Sequence, residues 1–238
     1  MEILSDNNQK IKELAKLNMS KYRKEMKMFL VEGAHLVNEA RLANVLIEAF
    51  SIDTKEGYTK ISEKAMKKLC HTDTLVSEIG LCKMLDKNEL SNKILILDAI
   101  QDPGNLGSLM RSAKAFGFNT IVLGKGSCDI YNDKVIRSSQ GAIFKLNFIT
   151  SDLVEFIPTL KDYLVYGTNV RKGISVSDCK KNGKIALVLG NEGNGISDKV
   201  DSVIENNIYI PLENVESLNV TVAGSILMYE FRGANNEK

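Results

Sequence analysis

The sequence predicts an α/β protein in which a parallel sheet is flanked by helices and preceded by a small α/β domain. From residue 93 onward, short and continuously apolar runs alternate with helical patterns. Strands that are apolar on both faces are typical of parallel sheets buried between helices. The polar stretch DKNELSNK, residues 86–93, interrupts the pattern and is typical of a domain boundary.

The predicted first domain spans residues 1–88, and its elements follow from apolar periodicity. They are a helix over 7–28 that breaks into a basic connector, a strand over 28–33, a helix over 33–43, a strand over 45–52, a helix over 62–70 and a strand over 80–85.

The predicted second domain spans residues 93–238. Its strands are KILILDAI, TIVLG, YLVYGTNV, KIALVLG and NNIYIPL, and its helices lie near 106–116, 131–139, 153–161 and from 218 onward. Ligands of parallel sheets bind at the carboxyl ends of strands. The loops that follow Ile100, Leu189 and Leu212 are therefore the candidate site.

Composition excludes several classes of protein. The chain has 238 residues, 44% hydrophobic residues and a formal net charge of +1, so any nucleic-acid surface must be local. The start lacks the apolar core of a signal peptide, and no run approaches the roughly 18 apolar residues of a membrane span. The cysteines and histidines are scattered along the chain, so no metal site is expected. For the same reason no disulfide framework is expected, and the predicted location is the cytoplasm. The scattered residues are Cys70, Cys82, Cys128, Cys179, His35 and His71.

A basic segment lies near the start of the chain. From Lys10 to Lys27 there are seven Lys or Arg residues and two Glu residues, a local excess of five positive charges. Such a run is commonly a solvated helix face. The alternative is an arm that contacts nucleic-acid phosphates through Lys21, Arg23 and Lys24.

The first candidate loop is DAIQDPGNLGSLMRSAKAFG. Asn105 is predicted to cap the helix that follows the Pro-Gly turn. Arg111 points away from the apolar stripe of this helix, and its helical neighbours Gly107, Ser108 and Ala115 are all small. Small neighbours leave the guanidinium open to a phosphate or to another chain. A plain surface arginine is the alternative.

The second loop, LVLGNEGNGIS, is rich in glycine around Glu192. Glycines after a buried strand let the backbone approach a ligand closely, although a simple turn also explains them. The loop has neither the Lys-Ser/Thr ending of a Walker loop nor the GxGxxG pattern of dinucleotide-binding folds. A nucleotide-dependent enzyme of the Rossmann type is therefore disfavoured.

The third stretch, IPLENVESLNVTVAGSILMYEF, ends in a helix that is apolar on nearly every side. Such a helix is buried, often between subunits. Ser217 is the predicted N-cap, and capping alone does not explain Asn219 two residues later. The polar start of this helix is therefore a candidate nucleoside-binding corner.

In order and spacing, these three stretches resemble the signature motifs of the SpoU (TrmH-like) RNA methyltransferases of the SPOUT class. The segment DIYNDKVIRSSQGAIFKLNF is similar as well, and the resemblance covers about residues 94–232. Residues 20–85, with FLVEGAHLVNEA, look like the ribosomal-protein-like substrate-binding domain that often precedes the catalytic domain.

The resemblance implies a C-terminal trefoil knot, a homodimer, and 2′-O-methylation of rRNA or tRNA ribose with S-adenosylmethionine. The active site is expected to join two chains, because the first and the last helix of this domain each have a face suited to a partner. The implied catalytic residues are Asn105, Arg111, Glu192, Ser217 and Asn219. The implied cofactor-binding residues are Leu189, Gly190, Asn191, Gly193, Ile210, Leu212, Ser217 and Leu218. The implied RNA-binding residues are Lys21, Arg23, Lys24, Glu32 and Arg137.

Within this family pattern, Arg111 is expected to hold the 2′-oxygen or its adjacent phosphate and to favour the developing alkoxide. The loop Glu213–Val215 is shorter than the family's usual cofactor loop and lacks its glycine, so its shape is expected to differ. The competing function is a non-catalytic RNA-binding or ribosome-assembly protein with the same fold. The complete polar set argues against that alternative.

Overall fold

The computed structural model describes residues 2–72, 74–86, 88–170 and 172–233, which fall into two compact units. The first unit comprises Met1–Asp86 and Asp129–Phe144, and the second comprises Lys87–Cys128 and Lys145–Lys238. The segment Asp129–Phe144 therefore packs with the first unit although it follows the start of the second in sequence. The predicted domain boundaries, residues 1–88 and 93–238, stay a prediction.

The helices and strands follow in chain order. They begin with β1 (Glu2–Ile3), α1 (Gln9–Lys16), α2 (Ser20–Met26), β2 (Met28–Glu32), α3 (Ala34–Leu42), β3 (Leu46–Ser51), β4 (Thr59–Ile61), α4 (Glu63–Leu69), β5 (Glu78–Lys83), β6 (Lys93–Leu97) and α5 (Pro103–Ala115). They continue with β7 (Thr120–Leu123), α6 (Asp133–Ser139), β8 (Asn147–Thr150), α7 (Leu153–Phe156), β9 (Tyr163–Thr168), β10 (Ile174–Ser175), β11 (Lys184–Leu189), α8 (Asp198–Asp201), β12 (Asn206–Tyr209) and α9 (Val220–Glu230).

The first unit is built on a mixed five-stranded sheet in the order β1-β4-β3-β5-β2, with β5 antiparallel to both of its neighbours. Its core includes the fully buried Ile11, Phe50 and Met66. The helix predicted over 7–28 is in fact two helices. Asn8 caps α1, whose C-cap is Leu17, and Lys27 ends α2 in the left-handed conformation with a φ of 55°.

The second unit is built on a seven-stranded sheet in the order β10-β12-β9-β11-β6-β7-β8, and every pairing is parallel. In β6 and β11 the residues 94–97 and 185–189 are all buried, as expected where both faces of a sheet are covered. The predicted fold class, a parallel sheet flanked by helices and preceded by a small α/β unit, is confirmed. The knot itself stays a prediction.

Close packing of α9 positions the candidate site. A Cβ atom at Gly224 would lie 2.6 Å from Cδ1 of Leu189 and 2.8 Å from Cδ2 of Leu109. Glycine therefore lets α9 approach both β11 and α5, which brings the start of α9 beside the ends of β6 and β11. Within the described ranges, no helix has the length and apolar character that crossing a membrane requires.

Candidate active site

The helix α5 begins earlier than the sequence predicts. Its N-cap is Asp102, whose side chain accepts a hydrogen bond from the backbone N–H of Asn105 at 2.8 Å. Pro103 takes the first helical position, where its missing N–H costs nothing. The prediction of Asn105 as the cap is therefore wrong. Asn105 lies in the first turn, and its amide is left for other partners.

The start of α9 differs in the same way. The cap is Asn219, whose Oδ1 accepts from the backbone N–H of Thr221 at 2.8 Å. The predicted cap, Ser217, lies two residues before it and is exposed. A carboxamide at the cap can turn its Nδ2 outward while its Oδ1 serves the helix. Capping therefore accounts for Asn219 and not for Ser217, so the opposite expectation from the sequence is wrong.

The glycine-rich loop after β11 is a tight, self-bonded turn. Asn191 and Gly195 exchange backbone hydrogen bonds of 2.9 Å in both directions, and Gly195 has a φ of 68°. Oδ1 of Asn191 accepts from the backbone N–H groups of Gly193 at 2.9 Å and Asn194 at 3.2 Å. A Cβ atom at Gly190 would collide with the backbone of Gly195. The loop thus folds back over its own strand.

Two hydrogen bonds fasten this loop to the end of β6. Nδ2 of Asn191 donates to the carbonyl of Ala99 at 2.9 Å, and the backbone N–H of Ser197 donates to Oδ2 of the buried Asp98 at 2.8 Å. The carboxyl ends of β6 and β11 are adjacent because these strands pair in register. The first two candidate loops therefore form one structure.

Glu192 joins the same two loops from the other side. Its carboxylate accepts from the backbone N–H groups of Gln101 at 3.3 Å and Asp102 at 3.1 Å, and from Nδ2 of Asn105 at 3.1 Å. Burial acts to raise the pKa of Glu192, but the hydrogen bonds from Asn105 and the backbone outweigh it and hold the pKa below its ordinary value. Glu192 is therefore a carboxylate that orients Asn105.

Asn105 links all three loops. Its Oδ1 accepts from Oγ1 of Thr221 at 3.1 Å and from Nδ2 of Asn219 at 3.4 Å. The orientation of its amide is fixed, because the carboxylate of Glu192 can only accept and must face the Nδ2 group. The expected convergence of the three loops is thus present. Thr221 was missed by the sequence reasoning, and its position two residues after Asn219 was the available signal.

A cavity of about 470 Å³ lies beside this network, at the carboxyl ends of the neighbouring strands β12, β9 and β11. All of the predicted cofactor-binding residues line it: Leu189, Gly190, Asn191, Gly193, Ile210, Leu212, Ser217 and Leu218. Glu192 lines it too. The shortened loop Glu213–Val215 follows, and its Asn214 takes a φ of 60°, which asparagine tolerates better than most residues.

The end of β9 contributes a wall that the sequence reasoning did not identify. Thr168, Asn169, Val170 and Lys172 line the cavity, as do Asp198 and Asp201 of α8. The rule that ligands bind at strand ends could have indicated Asn169. That β9 lies between β12 and β11 is a property of the strand order, which the sequence does not reveal. No group of three or more His, Cys, Asp or Glu side chains in the described ranges could hold a metal ion.

The remaining predicted residues are not hydrogen-bonding partners in this network. Arg111 is exposed further along α5. In the first unit, Lys21 and Lys24 are exposed on α2, whereas the Arg23 side chain is only 7% exposed and pairs with Asp129 at 2.7 Å. Arg23 therefore has a structural role, and its buried guanidinium is not available to RNA phosphates as the sequence predicts.

Glu32 and Arg137 also have internal partners. Glu32 is 5% exposed in its side chain and accepts from the backbone N–H of His71 at 2.8 Å and from Oγ1 of Thr72 at 3.0 Å. Nη1 of Arg137 lies 2.7 Å from Oδ2 of Asp133 and 3.9 Å from Oε1 of Glu32. Glu32 is thus engaged within its own unit, and Arg137 is partly exposed beside it.

Comparison with known proteins agrees with the geometry. The model of the SpoU rRNA Methylase family matches residues 92–229, and that of the MRM3-like substrate binding domain matches residues 8–76. The 23S rRNA (guanosine(2553)-2′-O)-methyltransferase RlmP of Bacillus subtilis (strain 168) is 35% identical over 246 residues, covering 98% of this chain and 99% of that protein.

Solved structures are similar over nearly the whole chain. A TrmH-family protein from Porphyromonas gingivalis has a TM-score of 0.82 at 30% identity, with 97% of this chain and 98% of that chain covered. The AdoMet-bound rRNA methyltransferase from Sinorhizobium meliloti has a TM-score of 0.86 at 22% identity, with 98% and 97% covered, and that likeness shows the fold alone. With the family model matched over more than half of its length, the chain belongs to the SpoU rRNA methylase family.

Proposed function

We propose that this protein transfers a methyl group from S-adenosylmethionine to a ribose 2′-hydroxyl of ribosomal RNA. The observation that carries the proposal is the convergence of three loops, locked through Asn105, beside one cavity. The relative RlmP, similar along its whole length, is named for a guanosine of 23S rRNA. We therefore take 23S rRNA as the first substrate to test and tRNA as the second.

The residues of the cavity fit the cofactor. Its volume of about 470 Å³ is within the range of about 300–1,000 Å³ that is typical of ligand sites. Ile210, Leu212 and Leu218 are partly exposed and offer apolar surface to a purine. When bound, S-adenosylmethionine supplies an electrophilic methyl group on its sulfonium.

The residues of this chain then position and polarise the hydroxyl. Arg111 is exposed and does not line the cavity of its own chain, so we assign its guanidinium to the active site that joins two chains in the expected dimer. There it is open to the 2′-oxygen or the neighbouring phosphate and stabilises negative charge as the hydroxyl gives its proton to an RNA phosphate. Asn105, Glu192 and Asn219 hold the three loops in one arrangement. Holding two reactants in line can contribute about 7–11 kcal/mol to lowering the barrier.

Replacing Arg111 tests the proposal. We expect Arg111→Ala to reduce methylation of 23S rRNA fragments by about 100- to 1,000-fold, as for removal of one oxyanion donor, and to leave the dissociation constant for S-adenosylmethionine unchanged. Transfer of labelled methyl and calorimetry measure the two quantities. Lys114→Ala, which removes the other exposed cation of α5, is the matched control and should keep full activity.

Two results would contradict the proposal. Full methylation by Arg111→Ala would remove the assigned role of the guanidinium. Failure of the unmodified protein to bind S-adenosylmethionine would favour the non-catalytic RNA-binding alternative. Mapping of 2′-O-methyl groups in total RNA, with and without the gene, would identify the modified nucleotide.

The proposed partners follow from exposed residues on α9 and α2, and the proposed location follows from the substrate. A second copy of the chain is the expected partner of α9, because Val222, Ile226 and Tyr229 are exposed on it at 47%, 36% and 46%. RNA phosphates are the expected partners of Lys21 and Lys24 on α2, which are both exposed. The cytoplasm is the expected location, since ribosomal RNA is there.

A further inference from the structure

The helices α1 and α2 meet at an elbow that presents Tyr22 on the surface of the first unit. The Tyr22 ring is partly exposed, and Nζ of Lys16 and Nζ of Lys21 lie 5.7 Å and 5.9 Å from its centroid. Both distances are close to the outer limit of about 6 Å for a cation–π contact. The two ammonium groups therefore flank the ring without being held tightly against it.

The surroundings of this ring carry an excess of positive charge, although the exposed Glu25 lies three residues after Tyr22 on the same helix face. The exposed lysines on and beside the two helices are Lys12, Lys16, Lys21, Lys24 and Lys27. Residues three or four apart on a helix share a face, so Lys12 lies beside Lys16 and Lys24 beside Lys21. Together these four lysines and Tyr22 form a surface that we call the Tyr22 face.

Buried Arg23 fixes the elbow that carries this face. Its Nη1 donates to the carbonyls of Leu17 at 3.0 Å and Asn18 at 3.1 Å, and its Nη2 lies 2.7 Å from Oδ2 of Asp129. Oγ of Ser20 donates to the same carboxylate oxygen at 2.9 Å. The planar guanidinium can satisfy several acceptors at fixed angles. The turn between α1 and α2, which carries the Tyr22 face, is thus held in place by hydrogen bonds of Arg23 and Ser20.

A second tyrosine, Tyr58, also lies near two cations, but there a carboxylate of the same unit pairs with the lysine. Nζ of Lys55 is 4.5 Å and Cζ of Arg41 is 5.3 Å from the ring of Tyr58. Glu78 binds this cluster, accepting from Nζ of Lys55 at 2.6 Å and from Oη of Tyr58 at 2.9 Å. The lysine charge beside Tyr58 is therefore paired with a carboxylate of the same unit.

We propose that the Tyr22 face binds single-stranded RNA, with an unpaired base stacked on Tyr22 and the adjacent phosphates on Lys16 and Lys21. Every base offers a π face to an aromatic ring, and phosphates favour ammonium groups, so this combination suits single strands. A duplex keeps its bases stacked on one another and cannot use the ring. The inference rests on the proposed function, which supplies RNA as the substrate.

Binding of labelled oligouridine and of an RNA duplex of the same length tests the inference. We expect Tyr22→Ala to weaken oligouridine binding by about 5- to 100-fold, the range for loss of one stacked base, and Tyr22→Phe to bind as the unmodified protein does. Duplex binding should be unchanged by either variant. Lys16→Gln should instead lower the salt dependence of oligouridine binding, since one phosphate contact is lost.

Tyr58→Ala is the matched control, because it removes a ring that also lies between two cations. It should leave oligouridine binding unchanged, with circular dichroism confirming that both alanine variants are folded. Unchanged binding by Tyr22→Ala, or equal losses in the two alanine variants, would overturn the inference. Binding of polyglutamate as tight as that of oligouridine would indicate an acidic protein partner and overturn it as well.

The closing measurement separates this inference from the proposed function. Calorimetry with S-adenosylmethionine and methyl transfer to a 23S rRNA fragment are repeated with Tyr22→Ala. If Tyr22→Ala retains cofactor binding, methylation and oligouridine binding, the inference about the Tyr22 face is refuted and the proposed function stands. If the unmodified protein neither binds the cofactor nor methylates the RNA, the proposed function is refuted, whatever the effect of Tyr22→Ala on RNA binding.

Discussion

At the scale of single residues, Asn105 shows how one side chain can be oriented from both ends. Glu192 accepts from its amide nitrogen and Thr221 donates to its amide oxygen, each at 3.1 Å. A flipped amide would set an oxygen against a carboxylate, which is repulsive, and would leave the threonine hydroxyl without its acceptor. The hydroxyl of Thr221 therefore helps to fix the orientation of the Asn105 amide.

We predict that Thr221→Val lowers kcat by about 2- to 10-fold, since a neutral hydrogen bond contributes about 0.5–1.5 kcal/mol. The dissociation constant for S-adenosylmethionine should not change. Thr221→Ser keeps the hydroxyl and should restore kcat, which a merely structural role of the methyl group would not allow. Steady-state methylation kinetics decide this, and equal impairment of the two variants would refute it.

At the scale of elements, the glycine-rich loop depends on a backbone contact that no side chain could allow. A Cβ atom at Gly190 would collide with the backbone of Gly195 and Ile196. Gly193, in the same loop, would place its Cβ atom 3.6 Å from Oδ1 of Asn191, an ordinary contact, and its φ is not positive. Two glycines three residues apart therefore carry different constraints.

We predict that Gly190→Ala weakens binding of S-adenosylmethionine at least tenfold, because the loop must move by the width of a methyl group to admit the new atom. Overpacking of this kind costs about 1–3 kcal/mol, so thermal unfolding should shift to lower temperature without loss of the fold. Gly193→Ala adds a methyl group to the same loop without a backbone collision and should weaken binding much less than Gly190→Ala does. Calorimetry that finds the two variants equal would contradict the prediction.

At the scale of the whole molecule, α9 divides its apolar residues between two faces. Gly224, Leu227 and Met228 are buried against the chain itself, whereas Val222 and Ile226 are exposed. The sequence pattern, apolar on nearly every side, predicts burial on both faces. A second copy of the chain would complete that burial.

We predict that the unmodified protein has twice the mass of one chain in solution and that Val222→Glu yields single chains. A buried, unpaired carboxylate opposes association strongly. The control is Val154→Glu, which places the same charge at an exposed valine of α7, where Val154 is 36% exposed. Multi-angle light scattering reads the mass directly. If the Val222→Glu variant is still a dimer, this face of α9 is not the dimer interface.

The fold was predictable where apolar pattern and local chemistry agree. The buried strands β6 and β11 read as continuous apolar runs, and the polar motifs follow them directly. The shortest elements, β1 and β10, were not predicted, because two residues carry too little periodicity to be recognised. Helix starts were misplaced by two or three residues, since more than one polar residue near each start could serve as the cap.

The sequence by itself determined the parallel α/β class, the strand-end motifs and the identity of Asn105, Glu192 and Asn219 as a polar set. Only the tertiary structure decided that the end of β9 joins the cavity and that Arg23 is buried while Lys21 is exposed. The reason is physical: a residue's type and spacing fix what it can bond. Which partner it meets depends on strand order and on packing between segments that are distant in the chain.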